Sequence, residues 1–190
     1  MVKGKTYSKT IAKAVKNFLD NQLLPYTFDS ETGMFSFRMY TQNKILVRYG
    51  GVRVVGFVNA ESLLVYAFYP QLVTNAQTVQ TVQKFVLDTN IGIIPGNFEI
   101  HDGVIRYKTY TELSGGMSPS SECIANTLYY GIATLDRYTK EISTIISTNA
   151  SKEDLKNIVK CKHYLSKGPD PFALYAMFAE VKSEMKKNQV

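Results

Sequence analysis

The chain has 190 residues, of which 45% are hydrophobic, and a formal net charge of +6 at pH 7. A single domain of this length buries roughly 70% of its unfolded surface, so it needs neither a disulfide framework nor a structural metal. Its two cysteines, Cys123 and Cys161, show no CxxC or Cys/His ligand spacing, which excludes the common zinc patterns. We therefore expect no cofactor, no metal site and a reducing, cytoplasmic location.

The positive charge is concentrated at the two ends of the chain. Residues 1–20 contain five lysines and one aspartate, residues 151–190 contain eight lysines and five acidic residues, and the rest contains nine basic and ten acidic residues. Lysines on terminal helices mostly solubilise an outer face. A nucleic-acid binder is expected to carry arginine interleaved with aromatic residues on one sheet face. Because only five of the 22 basic residues are arginine, the sequence argues against a nucleic-acid partner.

Targeting and membrane segments are not predicted. The N-terminal stretch has lysines but lacks the apolar core of about 7 to 15 residues that a secretory signal requires. No apolar run approaches the roughly 18 residues that a membrane-spanning helix requires.

The first element in chain order is an amphipathic helix from about Thr10 to Leu23. Its apolar residues recur at the spacing of one helical face: Ile11, Ala14, Val15, Phe18 and Leu19. After Pro25 the period changes to two. A short strand near 26–29, a turn at 31–33 and the alternating stretch MFSFRMYT predict a hairpin.

Further strands are predicted before the next helix. The stretch KILVRYGGVRVVGFVNA is interpreted as two strands separated by a turn or bulge at Gly50-Gly51. The stretch SLLVYAFYP, residues 62–70, is apolar on both alternations, so we expect the most buried strand there, ended by Pro70. A second helix is predicted over about 75–90, with Asn75 as its cap.

A hairpin and a long helix follow. Asp102-Gly103 fits a two-residue turn, which places Glu99 opposite Arg106 as a cross-strand ion pair of about 0.2–1 kcal/mol. Ser118 and Pro119 are then expected to begin a helix that continues to about Ser147.

The order of these elements predicts an α+β fold, an antiparallel sheet with helices packed on one face. The order is α-β-β-β-α-β-β-α, with three or more strands before the second helix. Together with a series of short motifs, it resembles the YbjN family, whose fold is similar to that of type III secretion chaperones. The motifs are Asn90, Gly96-x-Phe98-Glu99, Asp102-Gly103, Arg106-Tyr107-Lys108, Ser118-Pro119 and Leu135-Asp136-Arg137-Tyr138.

The resemblance covers about residues 8–148 and departs from the family pattern between Gln42 and Asn59. It implies a non-enzymatic, protein-binding or regulatory module that binds other polypeptides, often as a homodimer, and it supplies no catalytic residue. We therefore divide the chain into a YbjN-like domain, 1–149, and a helical C-terminal extension, 150–190. Two amphipathic helices are predicted in the extension, which would cover or extend the binding surface.

Two alternative functions remain open. An enzyme with an unrecognised site would need a deep pocket containing His101 and a carboxylate other than Asp102. A binder of nucleic acid or of an anionic surface would use the lysine-rich terminal helices, with an affinity that collapses as salt is raised.

For the favoured function we expect recognition of a protein or peptide by a groove or an exposed strand edge. The edges considered are those near Phe35–Tyr40 and Arg106–Tyr110. The candidate contact residues are Arg38, Tyr40, Lys108 and Tyr110, and Phe178 is the candidate for docking the extension.

Overall fold

The computed structural model describes residues 7–73 and 75–148, and the predicted α+β class is confirmed. The elements in chain order are α1 (Lys9–Asn21), β1 (Tyr26–Phe28), β2 (Met34–Met39), α2 (Lys44–Arg48), β3 (Val52–Val58), β4 (Ser62–Leu72), α3 (Ala76–Asn90), β5 (Asn97–His101), β6 (Val104–Glu112) and α4 (Ser121–Thr148). A single 3₁₀ turn at Ser114–Gly116 precedes α4. The predictions for residues 150–190, namely two helices and docking through Phe178, lie outside the described residues.

The strands form one six-stranded antiparallel sheet in the order β1-β2-β3-β4-β6-β5. Alternate side chains of each strand point to the same face. One face carries the core residues, which are almost wholly buried: Phe35, Phe37, Val52, Val54, Leu63, Val65, Ala67, Ile105 and Tyr107. They pack in one cluster with the apolar stripes of α1, α3 and α4, so the helices cover this face.

Helix α1 confirms the first predicted helix with shifted ends. Its start is fixed by Ser8, whose hydroxyl accepts a hydrogen bond from the backbone N–H of Ile11 at 3.3 Å. It ends at Asn21, before Leu23, whose φ of 55° is incompatible with a continuing right-handed helix.

The segment before β3 is a short helix, so the prediction of a strand over KILVR was wrong. Asn43 caps α2, because its side-chain oxygen accepts the N–H of Ile45 at 3.0 Å. Gly50 and Gly51 then adopt φ angles of 86° and 78°, which end the helix and lead into β3. Three consecutive apolar residues, Ile45 to Val47, do not show whether the period is helical, and the Asn cap and paired glycines determine the outcome. Four strands therefore precede α3.

Strand β4 is central, but only one of its two apolar alternations is fully buried. Leu63, Val65, Ala67 and Tyr69 are buried, whereas the intervening Leu64, Tyr66 and Phe68 are half-buried. The strand also continues past Pro70 to Leu72. Its pairing with β6 shifts register between Phe68 and Leu72, and Pro70 sits in this irregularity, where a missing N–H is tolerated.

The hairpin β5–β6 has the predicted register, with His101 opposite Val104 and Phe98 opposite Tyr107. Helix α3 is tied to this hairpin by Asn90. The Asn90 side chain accepts the N–H of Phe98 at 2.7 Å and donates to the carbonyl of Phe98 at 2.9 Å. It therefore satisfies both backbone groups of Phe98, which lies on the edge strand.

Helix α4 begins two residues later than predicted. Ser120, rather than Ser118, caps it by accepting the N–H of Cys123 at 3.1 Å. The helix has 28 residues and is therefore about 42 Å long at 1.5 Å per residue, enough to cross the whole sheet. Its middle is fixed by Tyr138, which makes edge-to-face ring contacts with Phe85 and Phe98 at 6.2 and 5.6 Å.

Candidate functional site

The described helices leave one face of the sheet uncovered. We call the outward-pointing side chains of β2, β3, β4 and β6 on this side the open face. It consists of Met34, Ser36, Arg38, Arg53, Val55, Phe57, Leu64, Tyr66, Phe68, Arg106, Lys108 and Tyr110. All of them except Val55 are half-buried or exposed, although they lie on the central strands of the sheet.

Strand register arranges the open face in rows that cross the strands. The first row is Arg38, Arg53, Phe68 and Arg106, the second is Ser36, Val55, Tyr66 and Lys108, and the third is Met34, Phe57, Leu64 and Tyr110. Neighbours within a row are about 5 Å apart, and successive rows are about 7 Å apart. Basic and aromatic side chains thus alternate within one continuous surface.

The aromatic rings of the open face contact one another. Phe57 lies edge-to-face against Tyr66, with ring centroids 6.3 Å apart, and Tyr66 lies 6.3 Å from Phe68 at a tilt of 47°. The guanidinium carbon of Arg106 is 4.4 Å from the centroid of the Tyr66 ring, within the range of a cation–π contact. The rings therefore form a pre-packed apolar strip that a partner can contact without first ordering flexible side chains.

The cations of the open face fall into two groups. Arg106 and Lys108 share Glu99 of β5, whose carboxylate lies 2.8 Å from the Arg106 guanidinium and 3.7 Å from the Lys108 ammonium. This confirms the predicted Glu99–Arg106 pair. In contrast, Arg38 and Arg53 face each other across β2 and β3, and neither has a carboxylate within 4.0 Å among the described residues. Arg38 donates to the carbonyl of Gly50 at 2.7 Å, which holds its side chain in place.

Three of the candidate contact residues, Arg38, Lys108 and Tyr110, lie together on the open face. Tyr40 follows β2 at the arginine end and is 55% exposed. The fifth, Phe178, lies outside the described residues.

Neighbouring strands pair with most of the two strand edges that we predicted as peptide-binding edges. That part of the prediction is therefore corrected. Strand β1 pairs with residues 35–37, and β5 pairs with residues 104–108. Of these two predicted edges, only 38–39 of β2 and 109–112 of β6 extend beyond the described pairings and keep an unpaired outer edge.

Sequence reasoning missed Arg53, Phe57, Tyr66 and Phe68. The argument against a nucleic-acid partner counted the arginines without placing them on a face. Three of the five arginines lie on the open face, beside aromatic residues. The period-two alternation in VRVVGFV was the available signal, since it places Arg53, Val55 and Phe57 on one side. Tyr66 and Phe68 were missed because residues 62–70 were expected to form the most buried strand.

The described residues do not bring His101, a second acid or base and a pocket together. The side chain of His101 is 78% exposed, and its only described carboxylate neighbour within 4.0 Å is Asp102, at 3.3 Å. A cavity of about 620 Å³ between α1 and the start of α4 is lined by residues that include Lys13, Phe18 and Ser121 but not His101. Within 7–73 and 75–148 no three His, Cys, Asp or Glu side chains are placed to hold a metal ion.

Titratable groups in the core have structural roles. Burial raises the pKa of the Cys123 thiol, which disfavours the nucleophilic thiolate. Burial also raises the pKa of Tyr107, whose hydroxyl donates to the carbonyl of Pro95. Tyr69 has a pKa raised to about 12 by burial. None of these groups lies on the open face.

Across the described part of the chain, no helix combines the length and apolarity needed to cross a membrane. Comparison with protein-family models finds no match to the chain, and comparison with curated proteins finds no similar sequence.

Proposed function

We propose that the chain is a non-enzymatic binding module, with a regulatory role, that holds a polypeptide partner against the open face. One observation carries this proposal. A sheet face that the described helices leave uncovered presents a continuous strip of half-buried aromatic rings, flanked by two arginines that have no carboxylate partner among the described residues. Aromatic side chains and arginine are the residue types enriched at protein interfaces.

Two features of the fold suit a polypeptide. The mixture of aliphatic and aromatic side chains on the open face matches apolar side chains of a partner. The outer edge of β6 beyond β5, residues 109–112, offers backbone groups to an added strand directly beside Tyr110. The resemblance to the YbjN family, with its secretion-chaperone-like fold, supports the same conclusion. We also propose a cytoplasmic location, in which Cys123 stays a thiol. The C-terminal extension is proposed to dock through Phe178.

Removing aromatic side chains from the open face should weaken peptide binding without unfolding the chain. We expect Phe68→Ala and Tyr110→Ala each to lower the affinity for peptides selected from a random library by about tenfold, since a truncated interface anchor costs more than about 1 kcal/mol. Fluorescence anisotropy with labelled peptides measures this loss. The matched control is Met117→Ala, which is 60% exposed outside the sheet and should bind like the unmodified chain. Equal binding by all three variants would contradict the proposal.

We further propose that the chain forms a homodimer through the outer face of α3. Leu87 and Ile91 lie one helical turn apart and are 68% and 79% exposed, and Ile94, in the following loop, is 84% exposed. Large apolar side chains exposed to this degree on neighbouring positions are typical of an interface.

Placing a charge in this patch should dissociate the dimer. We expect light scattering with size exclusion to give a dimeric mass for the unmodified chain and a monomeric mass for Ile91→Asp, because burying an unpaired carboxylate is unfavourable. Met117→Asp introduces the same charge at another exposed apolar position and should remain dimeric. A monomeric unmodified chain would remove the homodimer proposal, and a dimeric Ile91→Asp variant would place the interface elsewhere.

A further inference from the structure

Two arginines are held side by side at one end of the open face. Arg38 and Arg53 are directly opposite residues on β2 and β3, and both are exposed. Like charges at directly opposite positions destabilise a sheet. No described carboxylate lies within 4.0 Å of either guanidinium to offset this repulsion. A bound carboxylate would offset it, because a guanidinium matches the geometry of a carboxylate.

The side of the open face formed by β6 has a different character. Arg106 and Lys108 already share Glu99, so neither requires a further anion. Beyond the row of Met34, Phe57, Leu64 and Tyr110, the outward position is occupied by Glu112, which is exposed and pairs in register with Ser62. The surface is thus basic at the Arg38–Arg53 end and apolar in its third row, and it carries one carboxylate, that of Glu112, beyond that row.

This distribution of charged and apolar side chains restricts which partner can bind to the open face. The chain's own residues 151–190 carry eight lysines and five acidic residues, so as a whole they are repelled by the arginine end. A second copy of the chain is assigned by the proposed homodimer to the outer face of α3, which leaves the open face to another occupant. A nucleic acid carries a uniform line of phosphates, of which those beyond the third row would approach Glu112.

Resting on the proposed function, we infer that the partner is a polypeptide segment in which acidic residues adjoin apolar ones. The acidic residues bind Arg38 and Arg53, and the apolar residues pack on Phe57, Tyr66 and Phe68. The distance from the first row of the open face to the third is about 13 Å, or four residues of extended chain. The recognised segment therefore carries its carboxylates at one end of a short apolar stretch.

The test uses the full chain and a bead-displayed library of random peptides of about 15 residues. The unmodified chain and the control Lys140→Glu should recover peptides enriched in Asp and Glu. The double variant Arg38→Glu/Arg53→Glu should lose this enrichment and recover peptides enriched in Lys and Arg instead. Lys140 is an exposed residue of α4, in the helical layer, so its reversal changes net charge without changing the open face.

The affinities of individual recovered peptides test the role of the carboxylates quantitatively. An acidic peptide should bind the unmodified chain at least about tenfold more tightly than the same peptide with Asn and Gln in place of Asp and Glu. The double variant should bind the two versions equally. Raising the salt concentration should weaken the acidic peptide more than its amide version.

Three results would overturn the inference. Recovery of peptides without acidic enrichment would disprove the acidic partner and leave the proposed function standing. Recovery of no peptide would disprove both. Tighter binding of a single-stranded oligothymidylate of about 15 nucleotides than of any acidic peptide, abolished in the double variant, would make the occupant of the open face a nucleic acid.

Discussion

Replacing Phe98 with alanine should lower the free energy of unfolding by about 3–5 kcal/mol, the usual range for truncation of a buried phenylalanine. Phe98 is 2% exposed, and its ring lies edge-to-face against Tyr107 at 4.9 Å and Tyr138 at 5.6 Å. These partners belong to β6 and α4, so the cavity would open where the hairpin, the sheet and the long helix meet. Urea unfolding followed by circular dichroism measures the change.

The matched control for this effect is Phe68→Ala. Phe68 has the same side chain on a central strand, but it lies half-buried on the open face rather than in the core. We expect Phe68→Ala to cost about 1 kcal/mol, because much of its ring is already solvated. Equal losses in the two variants would mean that the open face is covered in the folded protein, which would also contradict the proposed binding surface.

The residues that carried the family resemblance have structural roles in this fold. Asn90 completes the hydrogen bonds of Phe98, and Tyr138 packs on Phe98 and Phe85. The carboxylate of Asp136 accepts a hydrogen bond from the Thr41 hydroxyl at 2.8 Å, which fixes the loop before α2 on α4. Motifs of this kind report how helices and strands are joined. The order of the elements predicted the fold class and Asp102-Gly103 predicted the hairpin register. The motifs do not identify which polypeptide binds.

The remaining errors have local physical causes. Residues 44–48 form a helix because a cap and two glycines outweigh the β-propensity of Ile45 and Val47. The open face could not be assembled from the sequence because its rows join strands that are far apart in the chain, and their register depends on pairings such as Arg53 with Phe68. Arg38, Lys108 and Tyr110 were found one by one from alternation. That they lie on one face with Arg53 and Phe57 is a property of the register.

Gly96 is a position where a single added methyl group should be strongly destabilising. Its φ is 93°, a conformation that L side chains rarely adopt, and a Cβ there would overlap the carbonyl oxygen of Lys108 and the ring of Tyr107. The close approach is built into the hairpin, because the Tyr107 hydroxyl donates to the carbonyl of the preceding Pro95. Neither the backbone of β6 nor the buried ring can move away without disturbing the core.

We expect Gly96→Ala to lower the free energy of unfolding by about 2–5 kcal/mol, of which about 1–2 is backbone strain and about 1–3 is overpacking. Gly115→Ala separates the two contributions, since Gly115 has a φ of 72° with nothing within 4 Å of an added Cβ. It should show the strain alone, about 1–2 kcal/mol. Parallel urea unfolding of both variants measures the difference. If Gly96→Ala were no more destabilising than Gly115→Ala, β5 and β6 would not be held as closely as the Gly96 contacts require.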